Sequence, residues 1–177
     1  MGNTADNHFK ICTHAEARAI INRYNRYWAF NPPDEISSDC DCVYFDTPPA
    51  ARKVCHEIKL EDVLALIVEA QKKHLVSLAI KTARRSHDFR GLCFTKTVPL
   101  VTERSSFHQR TNFAECIHCG LCVKVCSFGA RSIENVTLHV TDEKCVGCGV
   151  CADRCPIEAV RMEKREQDSG EQESQRG

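Results

Sequence analysis

The sequence predicts an α+β protein in two parts: a helical N-terminal region with a metal-ordered loop, and a small C-terminal domain on a duplicated cysteine motif. Three observations lead there. Thirteen of the 177 residues are cysteine, and eight of these fall between Cys116 and Cys155 in two runs of identical spacing. A T-x-x-E capping box, Thr13 to Glu16, stands ahead of apolar residues at helical spacing. Between the predicted helices lies an acidic stretch with two Pro-Pro pairs and a weak hydrophobic pattern, the kind of segment that a bound metal can order.

The first cysteine run is Cys116, Cys119, Cys122, Cys126, and the second is Cys145, Cys148, Cys151, Cys155. Both read C-x2-C-x2-C-x3-C, and each cysteine of the first recurs 29 positions later (145 − 116). Zinc sites favour separated cysteine pairs, which leaves a third and fourth cysteine at this spacing without a role. The repeat resembles the bacterial two-cluster ferredoxin over residues 116–155. In that family the fourth cysteine of each run ligates the other cluster. The resemblance therefore implies a [4Fe–4S] cluster I on Cys116, Cys119, Cys122 and Cys155, and a [4Fe–4S] cluster II on Cys145, Cys148, Cys151 and Cys126. Gly120, Gly147 and Gly149 free these loops of Cβ bulk so that backbone N–H groups can approach sulfur. One departure from the family stands out: Pro156 follows the second run, but Ser127 follows the first. His118, inside the first loop, reads as a residue beside the cluster and not as a ligand.

Composition narrows the alternatives. Lys and Arg number 24 and Asp and Glu also 24, so a strongly basic nucleic-acid binder is not indicated. The first ten residues are polar, and no apolar run approaches a membrane span, so the expectation is a cytoplasmic protein without a signal peptide. Clustered cysteines at metal-ligand spacing point to a reducing, anaerobic setting. From Lys72 to Arg110 nine Lys/Arg face only Asp88 and Glu103, which is either a solvated face or a docking surface for an acidic partner.

In chain order, a helix is expected from Thr13 to about Phe30, with Ala17, Ile20, Ile21, Tyr24, Tyr27 and Trp28 as its core stripe. Asn31-Pro32-Pro33-Asp34 stops it. A second helix is expected from Glu61 to about His87, continuous or broken near Gln71–Lys73, with Val63, Leu64, Ile67, Val68, Leu75, Leu78 and Ala79 on its apolar face and Gly91 as its stop. The cysteine domain should contain a hairpin at Arg131–Ile133 and Leu138–Val140 and a strand at Val160–Met162. These readings divide the chain into a partner-binding region, 1–110, a ferredoxin-like domain, 111–165, and a flexible polar tail, 166–177.

Five cysteines remain. Cys12, Cys40, Cys42 and Cys55 fit a third four-thiolate site, either a third [4Fe–4S] cluster or zinc, or else stay free thiols. His14 and His56 adjoin two of them and read as neighbours of the site in preference to ligands. Cys93 reads as a buried free thiol. With cluster count, length and layout taken together, the whole chain resembles the three-cluster small subunit of tungsten-dependent (class II) benzoyl-CoA reductase. That resemblance implies a large catalytic oxidoreductase subunit of the tungstopterin type and a further redox protein as partners. Neither a nucleophile–base pair nor a phosphate-cradling loop is recognisable. The expected role is therefore electron transfer without catalysis of its own. A diffusible ferredoxin and a cluster-based redox sensor are the other classes that the sequence admits.

Overall fold

The computed structural model describes residues 8–29, 40–48, 55–83, 86–96, 98 and 102–166. Most of the Pro-rich stretch and all of the expected tail beyond residue 166 lie outside them.

The N-terminal part is a mixed, mainly antiparallel sheet with two helices on one face. Its elements are β1 (His8–Cys12), α1 (His14–Ile21), β2 (Tyr27–Ala29), β3 (Cys40–Phe45), β4 (His56–Ile58), α2 (Leu60–Lys72), β5 (Val76–Lys81), β6 (Phe89–Thr95) and β7 (Thr102–Glu103). The seven strands lie in the order β4-β2-β3-β6-β5-β1-β7, and only β1 with β7 pairs in parallel. This corrects the expected helical region: helices are present, but the sheet is the larger part.

Each discrepancy has a local cause. The capping box forms as expected, with Thr13 Oγ1 accepting from Glu16 N and Glu16 returning the contact to Thr13 N. The helix nevertheless ends at Ile21, because Tyr27 turns back over it: the tyrosine hydroxyl lies 2.6 Å from Tyr24 O and 3.0 Å from Ile21 O. Tyr27 and Trp28 then enter β2 against Phe45 and Tyr44. The second helix stops at Lys72, followed by His74 at φ 57°, where the sequence had allowed a break. Val76–Lys81 is a strand buried at every position. A strand covered on both faces loses its period-two signature and reads as a continuous apolar run. Gly91 is not a helix stop. It sits in β6 opposite Tyr44, where a Cβ would meet Val43 O at 2.4 Å.

The two sheet faces are covered differently. Cys12, Val43, Phe45, Ala79, Leu92 and Phe94 pack with Ile21, Val63 and Ile67 of the helices. Ile11, Val76, Leu78, Ile80 and Cys93 face the C-terminal domain and meet Val125, Phe128, Val146, Cys148 and Val150.

That domain is built from β8 (Phe107–Thr111), α3 (Leu121–Lys124), β9 (Arg131–Glu134), β10 (Thr137–Val140), α4 (Val150–Asp153) and β11 (Val160–Lys164). Strand β8 pairs with β11 and β9 with β10, so the unit begins ahead of residue 111, at Phe107. The β9–β10 turn is made by Asn135 and Val136, both with positive φ. No helix among the described residues is long and apolar enough to cross a membrane.

Candidate metal centre

The eight clustered cysteines come together in two sets of four. Cys126, Cys145, Cys148 and Cys151 line one cavity, the second in run order, together with Arg131, Gln109 and Met162. Cys116, Cys119, Cys122 and Cys155 line the first cavity, that of the first run, together with Leu138, Pro156 and Val160. Each cavity thus takes three thiols from one loop and a fourth from the other run.

Local backbone explains the exchange. Gly120 and Gly149 are the N-caps of the single-turn helices α3 and α4, in left-handed conformation at φ 73° and 82°. Each short helix carries the third cysteine of its run, Cys122 or Cys151, and the chain then leaves toward the opposite cavity. Gly147 is the tightest position: a Cβ there would lie 1.9 Å from Phe107 O, and its φ is 79°. Ser105 N donates to Val146 O beside it, which ties the second loop to the segment entering β8.

Burial and charge distinguish the two cavities. Burial pushes the Cys148 thiol up to about 12 and the Cys151 thiol up to about 11. A buried thiolate set needs a compensating charge, and Arg131 supplies one. Arg131 is only 5% exposed, and its Nη2 donates to Gln109 Oε1 at 2.6 Å and to Thr111 Oγ1 at 3.2 Å. Gln109 Nε2 in turn donates to Asp142 Oδ1 at 3.0 Å. Burial opposes the Arg131 charge, but Cys151 and Cys122, one from each set, raise its pKa above the ordinary arginine value. Its Nη1 is buried with no oxygen or nitrogen partner, and the Cys122 and Cys151 thiols lie close enough to hydrogen-bond the guanidinium. A guanidinium N–H between two thiol sets suits negatively charged groups that accept hydrogen bonds at sulfur, as iron–sulfur clusters do. Among the described residues, no group of three or more His, Cys, Asp or Glu is arranged to hold a single metal ion. Two sets of four thiols beside a buried arginine fit a pair of [4Fe–4S] cubes.

Sequence reasoning missed Arg131 as a functional residue, because a basic residue opening a hairpin carries no metal signature. His118 Nδ1 accepts from Leu138 N at 2.9 Å and pins the hairpin over the first loop.

The described residues do not bring the cysteines of the expected third site together. Cys12 lies on the helix-covered face of the sheet, 1% exposed, with Sγ 3.5 Å from Ser77 O, and burial raises its pKa well above the ordinary thiol value. Cys42 packs with the opposite face and is bonded to Cys93, with Cα atoms 4.1 Å apart. Strands β1 and β3 are separated by β5 and β6, roughly 14 Å at about 4.8 Å per strand spacing. One cluster or one zinc ion cannot bridge that distance through the sheet. Cys40 occupies the register position opposite Thr95, and Cys55 lies just ahead of β4. Cys93 is buried as expected, but it is not free. His14 bonds Asp153, and His56 is exposed in β4.

Several residues of the basic stretch have partners within the chain. Lys81 is buried against Glu103, Arg110 pairs with Glu163, and Arg104 donates to Glu143 O. Arg84 and Arg85 lie outside the described residues.

Residues 109–162 match the family described as the 4Fe-4S dicluster domain. No curated protein matches the chain. The match supports a ferredoxin-type segment at the C-terminal side and, with it, an iron–sulfur electron-transfer role.

Proposed function

We propose that the protein is an iron–sulfur electron-transfer subunit, with cluster I held by Cys116, Cys119, Cys122 and Cys155 and cluster II by Cys145, Cys148, Cys151 and Cys126. The observation that carries this reading is the pair of cavities, each lined by four thiols of mixed origin, with Arg131 buried beside both. The clusters, when bound, supply one-electron redox chemistry at low potential. The chain's own residues do the rest. The loops hold and orient the thiolates, the apolar face of the sheet excludes water from the second cavity, and Arg131 offsets negative charge.

The sheet domain gives the subunit a body far larger than its redox centre needs, which supports permanent attachment to a large catalytic oxidoreductase chain and exchange with a further redox protein. Exposed apolar side chains of Ile117 and Ile157, both lining the first cavity, offer the contact through which electrons would cross. A tungstopterin enzyme of the benzoyl-CoA reductase type is one such partner, but its support has narrowed. That likeness rests partly on a third cluster, which Cys12 and Cys42, on opposite faces of the sheet, do not support.

The test is anaerobic purification of the full chain followed by reductive titration under electron paramagnetic resonance. Two [4Fe–4S]+ signals that broaden each other on full reduction are expected. The native mass in the same preparation should exceed that of the chain alone. A lone chain with both signals would favour a diffusible carrier, and no signal would reject the reading.

A further inference from the structure

Two cysteines outside the cluster sets meet where strands β3 and β6 run side by side. Cys42 and Cys93 are directly opposed in the antiparallel ladder and joined as a disulfide across 51 residues of sequence. Five paired positions, Cys40 to Tyr44 against Thr95 to Gly91, already align these strands, so the bond is not needed to set their register. Its location is the informative feature. Both cysteines belong to the sheet face that packs on the ferredoxin-type domain, in the same apolar cluster as Val146, Cys148 and Val150 of the second ligand loop and helix. Cys148 lines the second cavity. Cys93 is 5% exposed, whereas Cys42 is only partly buried, so one sulfur is shielded and the other lies nearer solvent.

We propose that the Cys42–Cys93 disulfide is a further redox centre, a two-electron acceptor that draws on the clusters of the ferredoxin-type domain. The inference rests on the cluster-binding reading above. The S–S bond accepts two electrons, one from each of two [4Fe–4S]+ clusters, and two protons from water. It breaks to give the Cys42 and Cys93 thiols, while the clusters return to the 2+ state. The stoichiometry closes because two one-electron donors match one two-electron acceptor. The reverse reaction would charge the clusters from the dithiol. The site would thus link one-electron cluster chemistry to two-electron thiol chemistry, with Cys42 as the sulfur open to exchange with a partner's disulfide or thiol.

The test uses the full chain with clusters reconstituted anaerobically and photoreduced deazaflavin as the electron donor. After an acid quench, free thiols are alkylated and the peptides carrying Cys42 and Cys93 are identified by mass. Both should be alkylated in most chains when the clusters are loaded and reduced. They should stay joined in the loaded, oxidised chain and in chelator-stripped chain given the same donor. A second reading is the electron uptake: about four electrons per loaded wild-type chain, against about two in the double variant Cys42→Ser, Cys93→Ser. Cluster bleaching with an intact disulfide would overturn the inference and leave the cluster reading standing. Equally fast reduction of the stripped chain would also overturn it. A chain that binds no iron would bring down both. If the double variant does not fold, the peptide masses of the wild-type chain decide alone.

Discussion

His14 Nδ1 lies 2.6 Å from Asp153 Oδ2, a contact between residues 139 apart in sequence. His14 opens α1 of the sheet domain and is 2% exposed, and Asp153 closes α4 between Cys151 and Cys155. The pair fixes the sheet domain to the segment that crosses from one thiol set to the other. Replacing Asp153 by Ala leaves a buried imidazole without its partner, a loss of about 1–3 kcal/mol. Thermal unfolding of the iron-loaded chain should show that loss, with iron content unchanged at the outset.

Gly147 admits no side chain. In Gly147→Ala the new Cβ must push against Phe107 O while the backbone keeps a positive φ. The expected cost is about 2 kcal/mol or more, with faster loss of iron from the second cavity under a chelator. Gly129→Ala is the internal control. It also has positive φ, at 60°, but open space around it, so only about 1 kcal/mol of backbone strain is expected.

Arg131 sets charge between the thiol sets. A positive neighbour favours the more negative, reduced state of a cluster, so its removal should lower the potential. Arg131→Met, which keeps much of the side-chain volume, is expected to lower the potential by tens of millivolts, on the order of 1–2 kcal/mol of screened Coulomb energy. Arg131→Lys should recover part of the shift. Spectroelectrochemical titration of the three proteins checks both the sign and the order.

The protein stripped of metal by a chelator offers a pH test. With Cys148 at about 12 and Cys151 at about 11, both thiols stay protonated at pH 8. Alkylation there should be about tenfold slower at Cys151 and about fortyfold slower at Cys148 than at an ordinary thiol, after allowance for the greater nucleophilicity of a more basic thiolate. The exposed Cys119 should react first. Because folding raises these pKa values above the ordinary 9.0, the stability that they contribute is fully present below pH 9 and disappears as pH rises through about 11 and 12. Stability of the stripped chain should fall across that window, while iron binding releases the protons and removes the dependence.

The cysteine domain was legible because its information is local. Three residues per loop at fixed spacing, a glycine before each short helix and a hairpin turn are all written within about forty consecutive residues. The sheet was not, for two physical reasons. Val76–Lys81 is buried on both faces, so nothing in its pattern separates a strand from a helix. The stripe from Ile20 to Trp28 does continue at helical spacing, but Tyr27 serves a different purpose, closing the helix with its hydroxyl and then joining β2. The N-terminal cysteines read as one site in the sequence because strand order is non-local. Only the sheet reveals that Cys12 and Cys42 stand three strands apart, and that Cys42 meets Cys93. Arg131 was silent for a similar reason, since its neighbours Cys122 and Cys151 approach only in the folded domain.

The most direct measurement is the iron and acid-labile sulfide content per chain of the full protein prepared without air. Two clusters and no third predict about eight of each, with the same content in Cys42→Ala. About twelve irons, falling to about eight in Cys42→Ala, would contradict the separation of the N-terminal cysteines, and an iron-free chain would contradict the account as a whole.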